Sequence, residues 1–195
     1  MAKRVILITG TPCVGKTSTA KLLTEELDAL NINLTDLALR ENLVSGKDKE
    51  RDSIIIDEKR MKQKIRGIIQ ESEKKDIIVD GHYAVNVVPL DPITYVFVLR
   101  RDPVELRKLM QQCGFSNRKL SENLASEILD VCLFDALNIH GKAKICELDV
   151  TAKNAKEVVV EILNIMKDPQ KCCVGIVDWL GKLESEGVLD EYLKI

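Results

Sequence analysis

One short stretch near the start of the chain limits its possible folds more than any other feature. Residues 10–17 read Gly-Thr-Pro-Cys-Val-Gly-Lys-Thr, which matches the pattern G-x-x-x-x-G-K-[ST] at every fixed position. An apolar run at residues 5–9 precedes it, and a helix-forming segment follows at residues 19–23. A strand, a glycine-rich loop and a helix in this order are typical of a phosphate-binding loop. The sequence therefore predicts an α/β protein that binds a nucleotide.

The residue types of this loop explain how it would hold phosphate. Two glycines let the backbone curl so that successive N–H groups point inward, and the following helix directs the positive end of its dipole at the same place. Lys16 is expected to reach the β- and γ-phosphates, and the Thr17 hydroxyl is expected to ligate Mg²⁺. ATP and Mg²⁺ are therefore the predicted cofactors. The predicted cofactor-binding residues of this segment are Gly10, Cys13, Gly15, Lys16, Thr17 and Ser18.

Length and charge narrow the function further. A chain of 195 residues, 45% of them hydrophobic, suits a single domain with a substantial core. Its formal net charge is −2 although 31% of its residues are charged, which argues against a surface that binds DNA or RNA in general. The chain has no apolar run long enough to span a membrane and no hydrophobic signal region at its N-terminus. We therefore expect a cytoplasmic protein without a membrane partner.

Six cysteines raise the question of disulfide bonds. They form no metal-type C-x-x-C pair, and in a chain of intracellular type reduced thiols are the expected state. Cys132 and Cys146 lie among apolar residues and are interpreted as core residues. The adjacent Cys172 and Cys173 could pair with each other only with strain.

Strands and helices alternate along the chain. Near-continuous apolar runs at residues 76–80 and 94–99 are typical of parallel strands buried on both faces. With the run at 5–9 and further strands at 31–34 and 144–148, they predict a doubly wound, five-stranded parallel sheet of the P-loop NTPase class. Ligands of such sheets bind at the carboxyl ends of the strands. The predicted helices cover residues 37–42 (capped by Thr35 or Asp36), 57–75, 104–112, 120–137 and 154–166.

Two segments differ from this pattern. Residues 44–52 are polar with little periodicity and are predicted to be a loop. Residues 168–195 include three glycines, but Trp179, Leu180 and Leu183 are apolar and fall at helical spacing. We expect a nucleotide-binding P-loop core domain over residues 1–167 and a C-terminal helical tail over residues 168–195 that packs on it.

An acidic residue ends the third of these strands along the chain. Asp80 follows Ile77-Ile78-Val79, and an acid at this position beside a phosphate loop is where a Walker B aspartate holds Mg²⁺. The predicted metal ligands are therefore Thr17 and Asp80. His82 lies two residues further, on the same strand face if the extension continues. Either it hydrogen-bonds the fold near the site, or it orients a water molecule or a substrate phosphate.

Two basic pairs could supply positive charge to a transferring phosphoryl group. Arg100-Arg101 follows the fourth strand directly, and Arg118-Lys119 lies in a break between two helices. Phosphoryl transfer needs cations placed against developing charge, together with exclusion of water. A solvated loop is the alternative for Arg118 and Lys119. The predicted catalytic residues are Lys16, Asp80, His82 and Arg118.

These motifs together resemble those of one family. The chain shows G-T-P-C-V-G-K-T-S from residue 10, Asp-x-His at residues 80–82, and Gly-Phe-x-x-x-Lys-Leu-x-x-Asn at residues 114–123. In them it is similar to the adenylate kinase isoenzyme 6 family, the atypical adenylate kinases of archaea and the eukaryotic nucleus, also called coilin-interacting nuclear ATPase. The resemblance extends from Arg4 to Leu163. The phosphate loop occurs in many families, whereas the Asp-x-His pair and the last motif are more discriminating.

The resemblance implies an enzyme that converts ATP and AMP to two ADP, with ATPase activity and a part in the maturation of the small ribosomal subunit. Its implied partners are ATP, AMP or another nucleoside monophosphate, and a small-subunit ribosomal protein or pre-rRNA. A nucleoside-monophosphate-binding region is implied at about residues 33–56, and a lid at about residues 112–122, where Cys113 would contact the cofactor. The implied substrate-binding residues are Asn33, Asp36, Arg40, Gly81, His82 and Arg100.

Two departures from the family pattern bear on activity. The family commonly reads Ala-Arg-Glu after Asp36-Leu37, whereas this chain reads Ala38-Leu39-Arg40-Glu41, so its arginine stands one residue later. In the lid, Cys113 stands where the family usually carries arginine. Cysteine cannot replace the fixed charge and forked donors of arginine. A nucleotide-switched ribosome assembly ATPase with little kinase activity, or a small-metabolite kinase of the same fold, therefore remains an alternative. A GTPase is disfavoured because the chain has no N-K-x-D motif.

Overall fold

The computed structural model describes residues 3–48, 53–89, 91 and 93–193. Within these ranges the strands are β1 (Arg4–Thr9), β2 (Leu30–Asn33), β3 (Val44–Asp48), β4 (Ser53–Ile56), β5 (Asp76–Asp80), β6 (Ile93–Arg100) and β7 (Ile145–Asp149). Five of them form a parallel sheet in the order β2-β5-β1-β6-β7. The predicted α/β fold with a five-stranded parallel sheet is confirmed.

Helices cover both faces of this sheet. They are α1 (Lys16–Leu27), α2 (Leu34–Arg40), α3 (Glu58–Glu71), α4 (Ala84–Val87), α5 (Pro103–Gln112), α6 (Asn117–Ile128), α7 (Val131–His140), α8 (Ala155–Lys167), α9 (Trp179–Ser185) and α10 (Leu189–Tyr192). Successive residues of β1 enter different cores: Val5 and Leu7 pack with α3, whereas Ile6 and Ile8 pack with α1 and α8. The central strand is therefore apolar from Val5 to Ile8, because both of its faces are buried there.

The register of the sheet brings three chain segments together at one end. Asp80, the last residue of β5, pairs with Ile8 of β1 and with Asn33 of β2. The loop after β1 therefore begins next to the ends of two other strands. This is the carboxyl end of the parallel sheet, where ligands of such folds bind.

Two of the predicted elements differ in the structure. The loop predicted over residues 44–52 is wrong at residues 44–48, which form strand β3 and pair with the antiparallel strand β4, while residues 49–52 lie outside the described part of the chain. The mostly polar residues of β3 can form a strand because β4 satisfies their backbone groups. The helix predicted over 120–137 is also wrong, since it is interrupted at Asp130, whose φ of 56° is left-handed, between α6 and α7.

The expectation of reduced thiols is wrong at one pair of cysteines. Cys146 in β7 and Cys172 in the segment after α8 form a disulfide, with their Cα atoms 4.9 Å apart. The other cysteines, Cys13, Cys113, Cys132 and Cys173, are free. Sequence alone did not indicate this pair because the two residues are separated by 26 positions and meet only through the fold.

Loss of this disulfide is expected to destabilise the protein by about 3 kcal/mol, because a cross-link of this loop length restricts the unfolded chain. Replacing Cys172 with serine should lower the melting temperature and make it insensitive to a reducing agent. The matched control is Cys173→Ser, which changes the neighbouring free, exposed thiol. Equal melting temperatures for the two variants under oxidising conditions would contradict this expectation.

The tail packs on the core domain through α9 and α10, both of which contact α6. Trp179 and Leu183 of α9 are buried. Within the described residues, no helix combines the length and the apolar character needed to cross a membrane.

Candidate active site

The loop between β1 and α1 has the curled backbone expected of a phosphate-binding loop. Gly10 and Gly15 have φ angles of 135° and 109°. A Cβ atom at Gly10 would lie 2.4 Å from the carbonyl oxygen of Leu99, so only glycine fits there. Cys13 also has a left-handed backbone, with φ 67°, although it carries a side chain. Backbone conformations of this kind are held in place by their surroundings and concentrate at functional sites.

Lys16 lies over this loop at the start of α1. Its Nζ donates hydrogen bonds to the carbonyl oxygens of Gly10 at 2.8 Å and Thr11 at 2.7 Å. Desolvation lowers the pKa of Lys16, and the nearby carboxylates of Asp80 and Glu127 oppose this shift. The loop therefore concentrates positive charge at its mouth, as an anion-binding site requires.

Asp80 lies at the base of the loop with two side chains against it. Its Oδ2 accepts hydrogen bonds from Thr17 Oγ1 at 2.9 Å and Asn33 Nδ2 at 2.8 Å. Burial raises the pKa of Asp80, while these two hydrogen bonds and the charge of Lys16 lower it. Its Oδ1 is buried and has no hydrogen-bond partner in the described structure. A buried carboxylate oxygen without a partner is costly unless a cation or water satisfies it.

This arrangement fits Mg²⁺. The ion is usually held by one or two protein oxygens and completes its octahedron with water and substrate phosphates. Asp80 Oδ1 and the Thr17 hydroxyl are such oxygens. The described residues contain no cluster of three His, Cys, Asp or Glu side chains that would hold a metal by protein ligands alone. The donor set therefore suits an ion that arrives with a nucleotide rather than a permanently bound metal.

Asn33 has a structural role that the sequence did not reveal. Its Nδ2 holds Asp80, and its Oδ1 accepts the backbone N–H of Asp36 at 2.9 Å, which caps α2. The cap predicted at Thr35 or Asp36 is therefore wrong. By using both ends of its amide, Asn33 fixes the start of α2 relative to the carboxylate at the base of the loop.

His82 lies at the rim of this site and is neutral. Its backbone carbonyl accepts from Thr9 Oγ1 at 3.2 Å, and its ring meets Tyr83 edge-on, with centroids 4.7 Å apart. The residue as a whole is solvent-exposed, but nearby protein atoms desolvate the imidazole. This desolvation, with repulsion from Lys16 and Lys119, lowers the pKa of His82 to about 4. A neutral imidazole can orient a water molecule or accept a hydrogen bond.

Two clefts adjoin the loop. One, of about 240 Å³, is lined by Thr17 and by three of the predicted substrate-binding residues, Asn33, Asp36 and Arg40. The other, of about 290 Å³, is lined by Cys13, Gly15, Ser18, Arg101 and Lys153. The structure thus brings three of the predicted substrate-binding residues to one cleft and three of the predicted cofactor-binding residues, Cys13, Gly15 and Ser18, to the other.

The remaining predicted residues lie in different surroundings. Gly81 packs against α2, where an added Cβ would lie 2.8 Å from Leu34 Cδ1. Cys113 is exposed at the end of α5, and its thiol contacts that of Cys13. Arg118 is exposed on α6 and pairs with Glu122 at 3.2 Å.

Arg100 is not available to a substrate, and its prediction as a substrate-binding residue is wrong. Its side chain is 1% exposed and pairs with Glu127 at 2.9 Å, Glu147 at 2.7 Å and Asp130. Four of the five N–H donors of this buried guanidinium are used within the protein, three by carboxylates and one by the Glu127 carbonyl oxygen, so the side chain is not placed to bind a phosphate. Arg101 is buried too, and it donates to the Val14 carbonyl oxygen of the loop at 3.3 and 3.4 Å.

Glu127 is the residue of this site that sequence reasoning missed. Its carboxylate accepts hydrogen bonds from Thr11 of the loop and from the backbone N–H of Arg101. One signal was present in the sequence: Glu127 is three residues from Leu124, which places a charge on the apolar face of the helix.

Comparisons with known proteins agree with this geometry. The family described as "AAA domain" matches residues 6–130. A protein of Methanocaldococcus jannaschii named "Putative adenylate kinase" is 36% identical over 177 residues, which cover 91% of this chain and 93% of the relative. A protein of the same name from Pyrococcus furiosus is 37% identical over 181 residues, or 93% and 94% of the two chains. Among solved structures, the thymidylate kinase of Candida albicans superposes with a TM-score of 0.57 at 15% identity, over 88% of this chain and 94% of that chain.

Proposed function

The chain belongs to the AAA-domain family and to the family of the archaeal adenylate kinase homologues, and from that membership we propose that it transfers the γ-phosphate of ATP to AMP. The protein is a phosphotransferase, a kinase that acts on nucleotides. The observation that carries the proposal is the Asp80–Thr17 pair at the base of the phosphate loop, beside a cleft that contains Asp36 and Arg40.

Each residue of the site has a proposed role in this reaction. The backbone N–H groups from Gly10 to Gly15, with Lys16 and Ser18, bind the phosphates of ATP, and Lys16 neutralises charge on the group transferred. Thr17 and Asp80 hold Mg²⁺, which when bound neutralises phosphate charge. Neutral His82 orients the accepting phosphate.

AMP is proposed to occupy the cleft between β2 and α2. Arg40 lines this cleft, carries a permanent positive charge and is exposed, so it can pair with the phosphate of AMP. Asp36 lines the same cleft and can accept hydrogen bonds from the nucleoside. The monophosphate-binding region is accordingly proposed over residues 33–56, and the lid over residues 112–122.

Formation of ADP should depend on AMP, and Arg40→Met should raise the KM for AMP by about 10- to 100-fold, because a charge-assisted hydrogen bond contributes about 1.5–3 kcal/mol. The KM for ATP should stay the same. A coupled assay of ADP with AMP or thymidine monophosphate as acceptor measures this, and Arg66→Met, an exposed change on α3, is the control. An unchanged rate of ADP formation when AMP is left out would contradict the proposed reaction.

Replacing Asp80 with asparagine should weaken Mg²⁺-dependent binding of ATP by at least about 10-fold, from the loss of one charged ligand of the ion. Binding without Mg²⁺ should change little, because the amide retains one oxygen and nearly the same shape. Titration of a fluorescent ATP analogue with Mg²⁺ or with a chelator separates the two. Equal weakening in both conditions would remove Asp80 from the metal site.

The finer assignment to the adenylate kinase isoenzyme 6 type, with a role in maturation of the small ribosomal subunit, is a second proposal. Cys113 is a departure from the lid of that type, which usually carries arginine at this position, and the slower turnover with AMP that we expect from it favours the ribosomal role over that of a plain nucleotide kinase. Arg118, the nearby alternative, is paired with Glu122. Pull-down from cell extract with ATP, ADP and no nucleotide tests it. Recovery of no small-subunit protein or pre-rRNA in any state would contradict the ribosomal role.

A further inference from the structure

One buried carboxylate connects the phosphate loop to the C-terminal tail. Glu127, near the end of α6, is 1% exposed. Its Oε2 accepts a hydrogen bond from Thr11 Oγ1 at 2.5 Å, and its Oε1 accepts one from Trp179 Nε1 at 3.1 Å. Thr11 is the second residue of the loop, and Trp179 is the first residue of α9 in the tail. Two segments at opposite ends of the chain thus bind the same side chain.

The carboxylates around this point carry more negative charge than the one guanidinium they share. Glu127 and Glu147 are both buried, and both pair with Arg100. Neutral donors must therefore satisfy the remaining oxygens. The tail supplies three of them: the indole N–H of Trp179 to Glu127, and the backbone N–H groups of Gly175 and Ile176 to Glu147 at 2.6 and 2.9 Å. The tail thereby completes a buried network.

The tail holds its indole donor in a fixed position. Asp178 caps α9 by accepting the backbone N–H of Gly181 at 2.8 Å. Lys182 of α9 pairs with Asp102, which itself caps α5. The disulfide of Cys172 ties the preceding segment to β7. Because the helix is anchored at these points, Trp179 holds the Glu127 carboxylate from the side of the tail, while Arg100 Nε and the backbone N–H of Arg101 hold the same oxygen from the sheet.

Thr11 transmits this constraint to the site. It is buried, and its carbonyl oxygen accepts the hydrogen bond of Lys16 Nζ at 2.7 Å. The same carbonyl accepts the backbone N–H of Val14 at 3.4 Å within the loop. Movement of Thr11 would therefore move the lysine and the backbone donors together. A small misplacement of groups that bind a transferring phosphate can be costly.

We propose that Glu127 and Trp179 are positioning residues of the nucleotide site, through which the tail sets the geometry of the phosphate loop for ATP. The proposal rests on the assignment of this loop to ATP and not on the identity of the phosphate acceptor. The indole N–H orients Glu127, Glu127 orients the Thr11 hydroxyl, and Thr11 orients Lys16. None of these three groups needs to touch the nucleotide through its side chain.

Trp179→Phe tests this, since it keeps an aromatic ring in the tail and removes only the donor. The Kd for a fluorescent ATP analogue should rise about 3- to 10-fold, part of the effect of one hydrogen bond to a charged group. The Kd for labelled AMP should not change. Leu180→Ala is the control. Leu180 is the next residue of α9 and is 39% exposed, and its apolar side chain has no hydrogen-bond donor to offer Glu127. Equal losses for ATP and AMP, or no loss for ATP, would overturn the proposal.

The loop end of the connection offers a test that does not depend on tail stability. Thr11→Val keeps the shape, removes the hydroxyl and should show the same 3- to 10-fold weakening, whereas Thr11→Ser keeps the hydroxyl and should weaken ATP binding less than Thr11→Val does. In the double variant Thr11→Val/Trp179→Phe, the increase in the Kd for ATP relative to the wild type should be smaller than the product of the increases in the two single variants. Independent, multiplying effects would contradict the connection. Because binding is measured directly, a protein that binds ATP normally but transfers nothing to AMP would contradict only the proposed reaction.

Discussion

Replacing Lys16 with methionine is expected to abolish phosphotransfer while leaving the fold intact. The Lys16 ammonium donates to two backbone carbonyl oxygens of its own loop, and among the described residues its side chain belongs to neither hydrophobic core. Its loss should lower kcat by about 10³-fold, the effect of removing one strong electrostatic donor from a phosphoryl or acyl transfer site. Methionine retains the length and helix propensity of lysine. ADP formation and thermal melting of the same preparation measure the two effects.

The control for this variant is Lys156→Met, an exposed lysine in the first turn of α8. It makes the same chemical change away from the loop and should leave both the rate and the melting temperature near those of the wild type. A Lys16 variant that loses stability as severely as activity would indicate that the loop is a structural turn instead of a phosphate site.

Replacing Arg100 with methionine is expected to destabilise the protein by about 3–5 kcal/mol, because two buried carboxylates would lose the buried cation that pairs with both of them. The whole free energy of unfolding of a domain is about 5–15 kcal/mol, so much of the variant should be unfolded at moderate urea concentrations. Urea unfolding followed by circular dichroism measures this. The effect should be on stability first, with loss of nucleotide binding as its consequence.

Arg118→Met is the matched control, since both arginines follow from the sequence as candidates for phosphate contact. Arg118 is exposed and its pair with Glu122 lies within one helix, so its removal should cost less than about 1 kcal/mol. An Arg100 variant with wild-type stability and specifically weakened phosphate binding would instead restore the interpretation of Arg100 as a substrate-binding residue.

The parts of the fold that the sequence predicted are those with strong local patterns. The buried strands are continuous apolar runs because both faces of the sheet are covered. The phosphate loop is recognisable by its glycines, of which Gly10 has no room for any side chain. Strand β3 has no such pattern, since most of its residues are polar or glycine and it pairs with β4 through the backbone. The break at Asp130 was also hidden, because its neighbours continue the helical periodicity.

The same distinction applies to the site. Lys16, Thr17 and Asp80 meet because they stand at the ends of elements whose order is readable in the sequence. Arg100 also follows a strand directly, yet its side chain points into the protein because Glu127 and Glu147, from distant elements, meet it there. Charge alone did not distinguish a phosphate ligand from a buried ion pair. Pairings between distant elements, including the Cys146–Cys172 disulfide, depend on the three-dimensional packing that brings them together.

The segment that joins the disulfide to α9 also covers part of one edge of the sheet. β7 is the last strand of the sheet, and the backbone N–H of Glu147 donates to the Cys173 carbonyl oxygen at 2.9 Å. An exposed edge strand is a template on which another chain can add a strand, and proteins commonly cover such edges with a loop or helix. By occupying this backbone donor, the tail leaves β7 less open to a strand from a second molecule. The C-terminal segment of this enzyme is thus also a cover for part of the last strand of the sheet.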